Sequence, residues 1–104
     1  MIRRSEISKQ ILSIISDITE IETTEILSKK KTTEIVDARH IFVKTLYEQG
    51  FHPPCIAVIA GLTHRQVTYI LTDFQDRLNT SYLFRRNYEI IKKKIRNNLE
   101  ISNL

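Results

Sequence analysis

Five isoleucines set the first pattern in the chain. Ile7, Ile11, Ile14, Ile15 and Ile18 recur at three- and four-residue steps, one apolar stripe on an otherwise polar helix. Ser5 stands where an N-cap would start that helix, with Glu6 and Ser8 in its first turn. The stretch "TTEILS" predicts a short further turn of helix with Ile26 and Leu27 facing inward. "SKKKTT", residues 28–33, is too polar to pack and predicts a loop. The stripe then returns over Ile35, Ala38, Ile41, Phe42, Thr45 and Leu46, and Gly50 is placed to end that helix as a C-cap. Pro53 and Pro54 suit the first positions of a short helix over residues 54–60, with Ile56 and Ile59 inward. Gly61 and Leu62 make a turn. A helix starting at Thr63 carries Val67, Ile70, Leu71, Phe74 and Leu78 on one side, the cleanest period in the chain. Asn79, Thr80 and Ser81 predict a break, and a last helix over about 81–101 has Tyr88, Ile91, Ile95 and Leu99 as its apolar seam.

This spacing, with only two Gly and two Pro, predicts an all-α fold of about five or six helices in one domain spanning residues 1–104. Hydrophobic residues at 41% and charged residues at 27% are ordinary for a globular protein. No apolar run is long enough for a membrane span, and the N-terminus lacks the apolar core of a secretory signal. The single Cys55 has no intrachain disulfide partner. The expectation is a cytoplasmic, nucleoid-associated protein with no membrane contact and no cofactor.

Charge is unevenly spread. Residues 1–28 hold 3 basic and 5 acidic side chains, and residues 29–104 hold 13 basic and 7 acidic, so the net charge shifts from −2 to +6. Such a basic segment is the footprint of a polyanion binder. Within it, the short helix, the Gly turn and the helix from Thr63 predict a helix-turn-helix over about 54–78. In that motif the front of the second helix meets base edges in the major groove. Against the buried face set by Val67, Ile70, Leu71, Phe74 and Leu78, Arg65 and Tyr69 point outward, flanked by Gln66 and Thr68. His64 projects forward from the first turn. Arg suits guanine, Gln suits adenine, and a Thr methyl suits thymine. Lys29, Lys30 and Lys31 offer three cations to phosphates or a minor groove. Arg39 and His40, early in their helix, are candidates for phosphate contacts. Each has a plainer alternative: a solvated helix face, a solubilising loop, or an Arg39 paired with Asp37 or Glu34. "KKKIR", residues 92–96, reads first as a solvated face.

Catalytic and metal chemistry find little purchase. His52, Cys55 and His64 show no zinc-ligand spacing with a second pair. There is no Gly-rich phosphate loop and no nucleophile elbow. The expectation is a protein without enzymatic activity, catalytic residues or bound metal.

Two stretches together resemble the C-terminal DNA-binding domain of the bacterial replication initiator DnaA. "ILSKKKTTEIVDARHI", Ile26 to Ile41, is similar to the family's basic loop followed by an "EIV…AR" helix start. "PPCIAVIAGLTHRQV", Pro53 to Val67, resembles the family's signature around its helix-turn-helix. The similarity runs from about Ile7 to Leu78. It implies an all-α fold with a helix-turn-helix like that of the Trp repressor, binding double-stranded DNA. By position it implies Lys31 in the minor groove beside Lys29 and Lys30, Arg39 and His40 at phosphates, and His64 at a base. Gly61 keeps a turn glycine and Val67 a core valine. Thr63 replaces an aspartate, keeping the N-cap but losing a carboxylate acceptor. Leu62 replaces a contacting arginine, Arg65 and Gln66 replace small hydroxyl residues, and Ala60 replaces the first turn glycine. The resemblance therefore implies a divergent, stand-alone relative from a bacterium, phage or mobile element. No Walker motif is present. The expected role is replication control or transcription regulation, as a monomer or homodimer. The alternative is a protein-interaction module of the same fold that regulates a replication initiator without touching DNA.

Overall fold

The computed structural model describes residues 3–102, with side chains through residue 98. Six α-helices and no strand occur among the described residues: α1 (Arg4–Thr19), α2 (Thr23–Ile26), α3 (Thr33–Glu48), α4 (Pro53–Ala60), α5 (His64–Thr80) and α6 (Tyr82–Ser102). The expected all-α class is the observed one.

The third helix organises the packing, because it touches each of the other five. Its apolar positions are therefore buried nearly all the way round: Ile35, Ala38, Ile41, Phe42, Val43 and Leu46. Thr45 is buried among them, and its hydroxyl donates to the Ile41 carbonyl at 2.7 Å, which offsets the cost of burying it. On one side α1 supplies Ile11 and Ile15, both fully buried. On another, Phe74 of α5 meets Phe84 and Tyr88 of α6 edge-on, with ring centroids 5.1 and 4.9 Å apart. Tyr88 also donates its phenol hydrogen to Glu48 Oε2 at 2.7 Å, joining α6 to the end of α3. Burial, then the Glu48 carboxylate, pushes the Tyr88 phenol above its ordinary pKa.

Several element details differ from the periodicity. The first helix starts at Arg4, not at a Ser5 cap. Arg3 is its N-cap without a side-chain bond, and Arg4, the first of two added residues, lies 5.1 Å over the Phe51 ring. Ile26 is fully buried, but Leu27 is 38% exposed because α2 ends before it. Ile59 is half-buried rather than core. The expected break over residues 79–81 narrows to Ser81. Thr80 bonds back to the Asp76 carbonyl at 2.9 Å, so α5 persists until Ser81 turns extended. Ser81 Oγ then accepts from the Phe84 amide at 3.2 Å and starts α6. Phe84 is fully buried and extends the seam of Tyr88, Ile91 and Ile95 toward the N-terminus, while Leu99 lies outside the described side chains.

Two glycines are needed where they stand. Gly50 (φ +95°) follows α3, and the next amide, Phe51, returns to the Leu46 carbonyl. Gly61 (φ +69°) lets the Leu62 amide reach the Ala57 carbonyl at 2.9 Å, fixing the corner between α4 and α5. A Cβ at Gly61 would meet nothing within 4 Å, so a substitution there is opposed by backbone conformation alone. Gly61→Ala should accordingly lower the free energy of unfolding by about 1 kcal/mol, read from urea denaturation, without changing the helix content.

Candidate nucleic-acid interface

Arg39 is buried, 8% exposed, although the sequence suggested a phosphate contact. Its Nε donates to the Ile26 carbonyl at 2.9 Å and its Nη2 to the Lys30 carbonyl at 3.0 Å. One planar guanidinium thus ties the end of α2 and the lysine loop to α3, a fork that lysine cannot reproduce. Arg39 pairs with neither Asp37 nor Glu34. Burial pushes it below its ordinary pKa, and at neutral pH it remains a cation. Ser28 shapes the same loop, its Oγ donating to the Glu25 carbonyl at 2.6 Å and accepting from the Lys30 amide at 3.2 Å. Lys29, Lys30 and Lys31 all point to solvent, and Lys30 lies 3.8 Å from Glu25.

The corner at Gly61 feeds α5. Thr63 is the N-cap: its Oγ1 accepts from the Gln66 amide at 3.1 Å, and Gln66 Oε1 accepts from the Thr63 amide at 2.8 Å. This reciprocal capping box fixes the first turn. It also uses one of the two lone pairs of Gln66 Oε1 and folds that side chain back toward Thr63, so a two-point pairing of Gln66 with adenine competes with the box. His64 and Arg65 are exposed in that turn, at the positive end of the helix dipole. Thr68 donates its hydroxyl to the His64 carbonyl at 3.0 Å, so its hydrogen is engaged and its oxygen is left to accept.

Loop, α3 and α5 enclose an open groove of about 490 Å³. Lys31, Arg39, His40, Arg65, Gln66 and Tyr69 line it, with Val36, Leu62 and Ile70 as its apolar lining. No acidic residue lines it. Tyr69 is 64% exposed, an aromatic face at the groove edge. Thr68 faces elsewhere, into a shallower depression with Lys44, Tyr47 and Pro53. Lys29, Lys30, Thr63 and His64 do not line the groove.

His40 is buried against α5, 7% exposed, with its Nδ1 lacking a hydrogen-bond partner among the described residues. Burial first, then the nearby Arg77 and Arg39 cations, lower its pKa to about 4, with Asp73 partly opposing them. It is therefore a neutral imidazole at neutral pH. Arg77, which no motif or spacing singles out, pairs with Asp37 at 2.6 Å across 40 residues of chain. Burial nevertheless holds the Asp37 carboxyl above its ordinary pKa, outweighing Arg77. Asp37, Asp73 and Asp76 gather with Arg77 in a separate groove toward the C-terminal end of α5.

No protein-family model matches the chain, and no curated protein matches it significantly.

No group of three or more His, Cys, Asp or Glu residues is placed to hold a metal ion among the described residues. His52, Cys55 and His64 form no such group. No helix among the described residues is long and apolar enough to cross a membrane.

Arg39→Lys should cost about 1–3 kcal/mol of stability, since at least one of two carbonyls loses its charged donor. In limited trypsin digestion the variant should be cut faster after Lys29–Lys31. His40 adds a pH dependence. Its folded pKa lies below the unfolded value of 6.5, so the unfolded state takes up the proton first as pH falls. Stability should drop between pH 6.5 and about 4, by on the order of 2–4 kcal/mol, and level off below. The raised Asp37 carboxyl acts with the opposite sign in the acid part of that range. Urea unfolding of His40→Gln beside wild type isolates the histidine: the variant should show a flatter profile between those pH values.

Proposed function

We propose that this protein binds double-stranded DNA, with the front of α5 in a major groove and the lysine loop against an adjacent minor groove. One observation carries the reading: the groove joining the lysine loop, α3 and α5 collects Lys31, Arg39 and Arg65 and is lined by no acid. Arg65 and His64 read base edges, Tyr69 and Thr68 contact the flanks, and Gln66 donates from its amide nitrogen. Lys29, Lys30 and Lys31 neutralise phosphates. Arg39 serves chiefly by holding that loop in shape and by adding its charge beneath it. His40 stands on the inner wall of the groove as a neutral imidazole whose unpartnered Nδ1 is sealed from solvent, so it shapes that wall and adds no charge. The resemblance of residues 26–41 and 53–67 to a replication initiator's DNA-binding domain adds support for a role in replication control or transcription.

The rival reading is a protein-interaction module that regulates an initiator. The acidic groove of Asp37, Asp73 and Asp76 favours it, because acids beside a DNA face repel phosphate. Those acids sit around Arg77 and Thr80, farther along α5 than Arg65 and Gln66, and Asp37 is neutralised by its ion pair. The arrangement leaves the helix front open to DNA.

Selection of bound duplexes from a random library, at about 0.15 M salt, tests the two. DNA binding predicts an enriched motif. Arg65→Ala should relax one position of it and cost about 1–3 kcal/mol on the preferred site. Lys31→Ala should weaken binding to every duplex and make the salt slope shallower by about 1. Absence of any enriched motif, with both variants behaving as wild type, overturns the docking.

A further inference from the structure

The last helix carries a second concentration of charge that the interface above does not use. Residues 82–98 hold six basic side chains (Arg85, Arg86, Lys92, Lys93, Lys94, Arg96) and one acid, Glu89, a net of +5. All six bases are exposed. None is within salt-bridge distance of a carboxylate among the described residues, where the ion pairs are Lys30–Glu25 and Arg77–Asp37. The arrangement is ordered. With Phe84, Tyr88, Ile91 and Ile95 turned into the core, Arg85, Arg86, Lys92, Lys93 and Arg96 fall within an arc of about 120° on the outer side, at about 100° per residue. Lys94 alone turns aside, into the cleft with Gln10 and Asp17 of α1.

Along the axis the charge is in two blocks. Arg85 and Arg86 form one, and Lys92, Lys93 and Arg96 the other. Arg85 and Lys93 are eight residues apart, a rise of about 12 Å. That is about the width of the major groove between its two phosphate strands. Glu89, the single acid, lies between the blocks along the axis and on the same arc.

We propose that α6 is a second phosphate-binding face, lying across a DNA groove with Arg85 and Arg86 on one strand and Lys93 and Arg96 on the other. The inference rests on the DNA-binding reading above and extends it to a surface that makes no base contact. A lipid surface fits less well. An interfacial helix presents a continuous apolar face to the acyl region, whereas the main apolar seam of α6, Phe84, Tyr88, Ile91 and Ile95, is buried in the core and only Tyr82, Leu83 and Ile90 stand exposed.

The test is the salt dependence of binding to a random-sequence duplex, between about 0.05 and 0.2 M salt, using the full chain. Arg85→Ala/Arg86→Ala/Lys93→Ala places good helix formers at exposed positions, and circular dichroism melting checks that the fold persists. The slope of log affinity against log salt should become shallower by about 2–3, with equal weakening on enriched and random duplexes. Arg85→Lys/Arg86→Lys should keep the wild-type slope, since phosphate neutralisation needs only charge. A triple variant with the wild-type slope, alongside a weakened Lys31→Ala, overturns the α6 proposal and leaves the α5 interface standing. A wild-type chain that binds no duplex overturns both, including the case in which it binds phosphatidylserine vesicles instead.

Discussion

Arg39 is the constraint on which the candidate interface rests. A lysine-rich loop has no reason of its own to hold a shape, because its charges repel one another and its side chains prefer water. The Arg39 fork supplies that reason by binding the Ile26 and Lys30 carbonyls from beneath. The bond to Ile26 is buried and the bond to Lys30 partly so, where a charged donor is worth more than it would be in solvent. The loop is thereby attached to the helix that touches all the others. Its lysines are presented from a fixed backbone, and the ordering cost is met on folding rather than at the moment a ligand arrives.

The charges on α5 are sorted along its length. Arg65 and the capped first turn stand at one end, with Asp73 and Asp76 toward the other. This order runs with the preference of a helix N-terminus for anions and gives the element a direction in an electric field. A polyanion meets attraction at the front and repulsion along the rear of the same stripe. Arg77 moderates the rear by pairing with Asp37, and that pair also latches α5 to α3 next to the neutral His40. The interface and the core thus share residues: the side chains that bound the groove on its inner side are also those that pack the two helices together.

Much of this was legible in the residues alone. The helices follow from apolar spacing, and their corners from Gly50, Gly61 and the two prolines, because these are local constraints. Lys31, Arg39, His40, Arg65, Gln66 and Tyr69 were all candidates, and they line one groove. What spacing does not carry is how each side chain spends its hydrogen bonds. Arg39 reads as a surface cation and is a buried staple. Gln66 reads as a free amide, and its oxygen accepts from the Thr63 amide. The Asp37–Arg77 pair joins residues 40 apart, and no periodicity connects them. Phe84 lies inside the expected last helix but one turn ahead of the seam read from Tyr88 onward, and Ser81, read both as part of a break and as the start of that helix, caps it.

The reciprocal bonds between Thr63 and Gln66 have a consequence for how the surface can change over time. A new side chain at position 66 loses the bond from the Thr63 backbone amide, and a new side chain at 63 loses the N-cap on the Gln66 backbone amide. Positions 65 and 69 carry no such debt, since Arg65 and Tyr69 are exposed and no hydrogen bond of the fold holds them. Change in the surface would therefore run first through 65 and 69, with 63 and 66 changing late because each side chain holds one amide of the first turn.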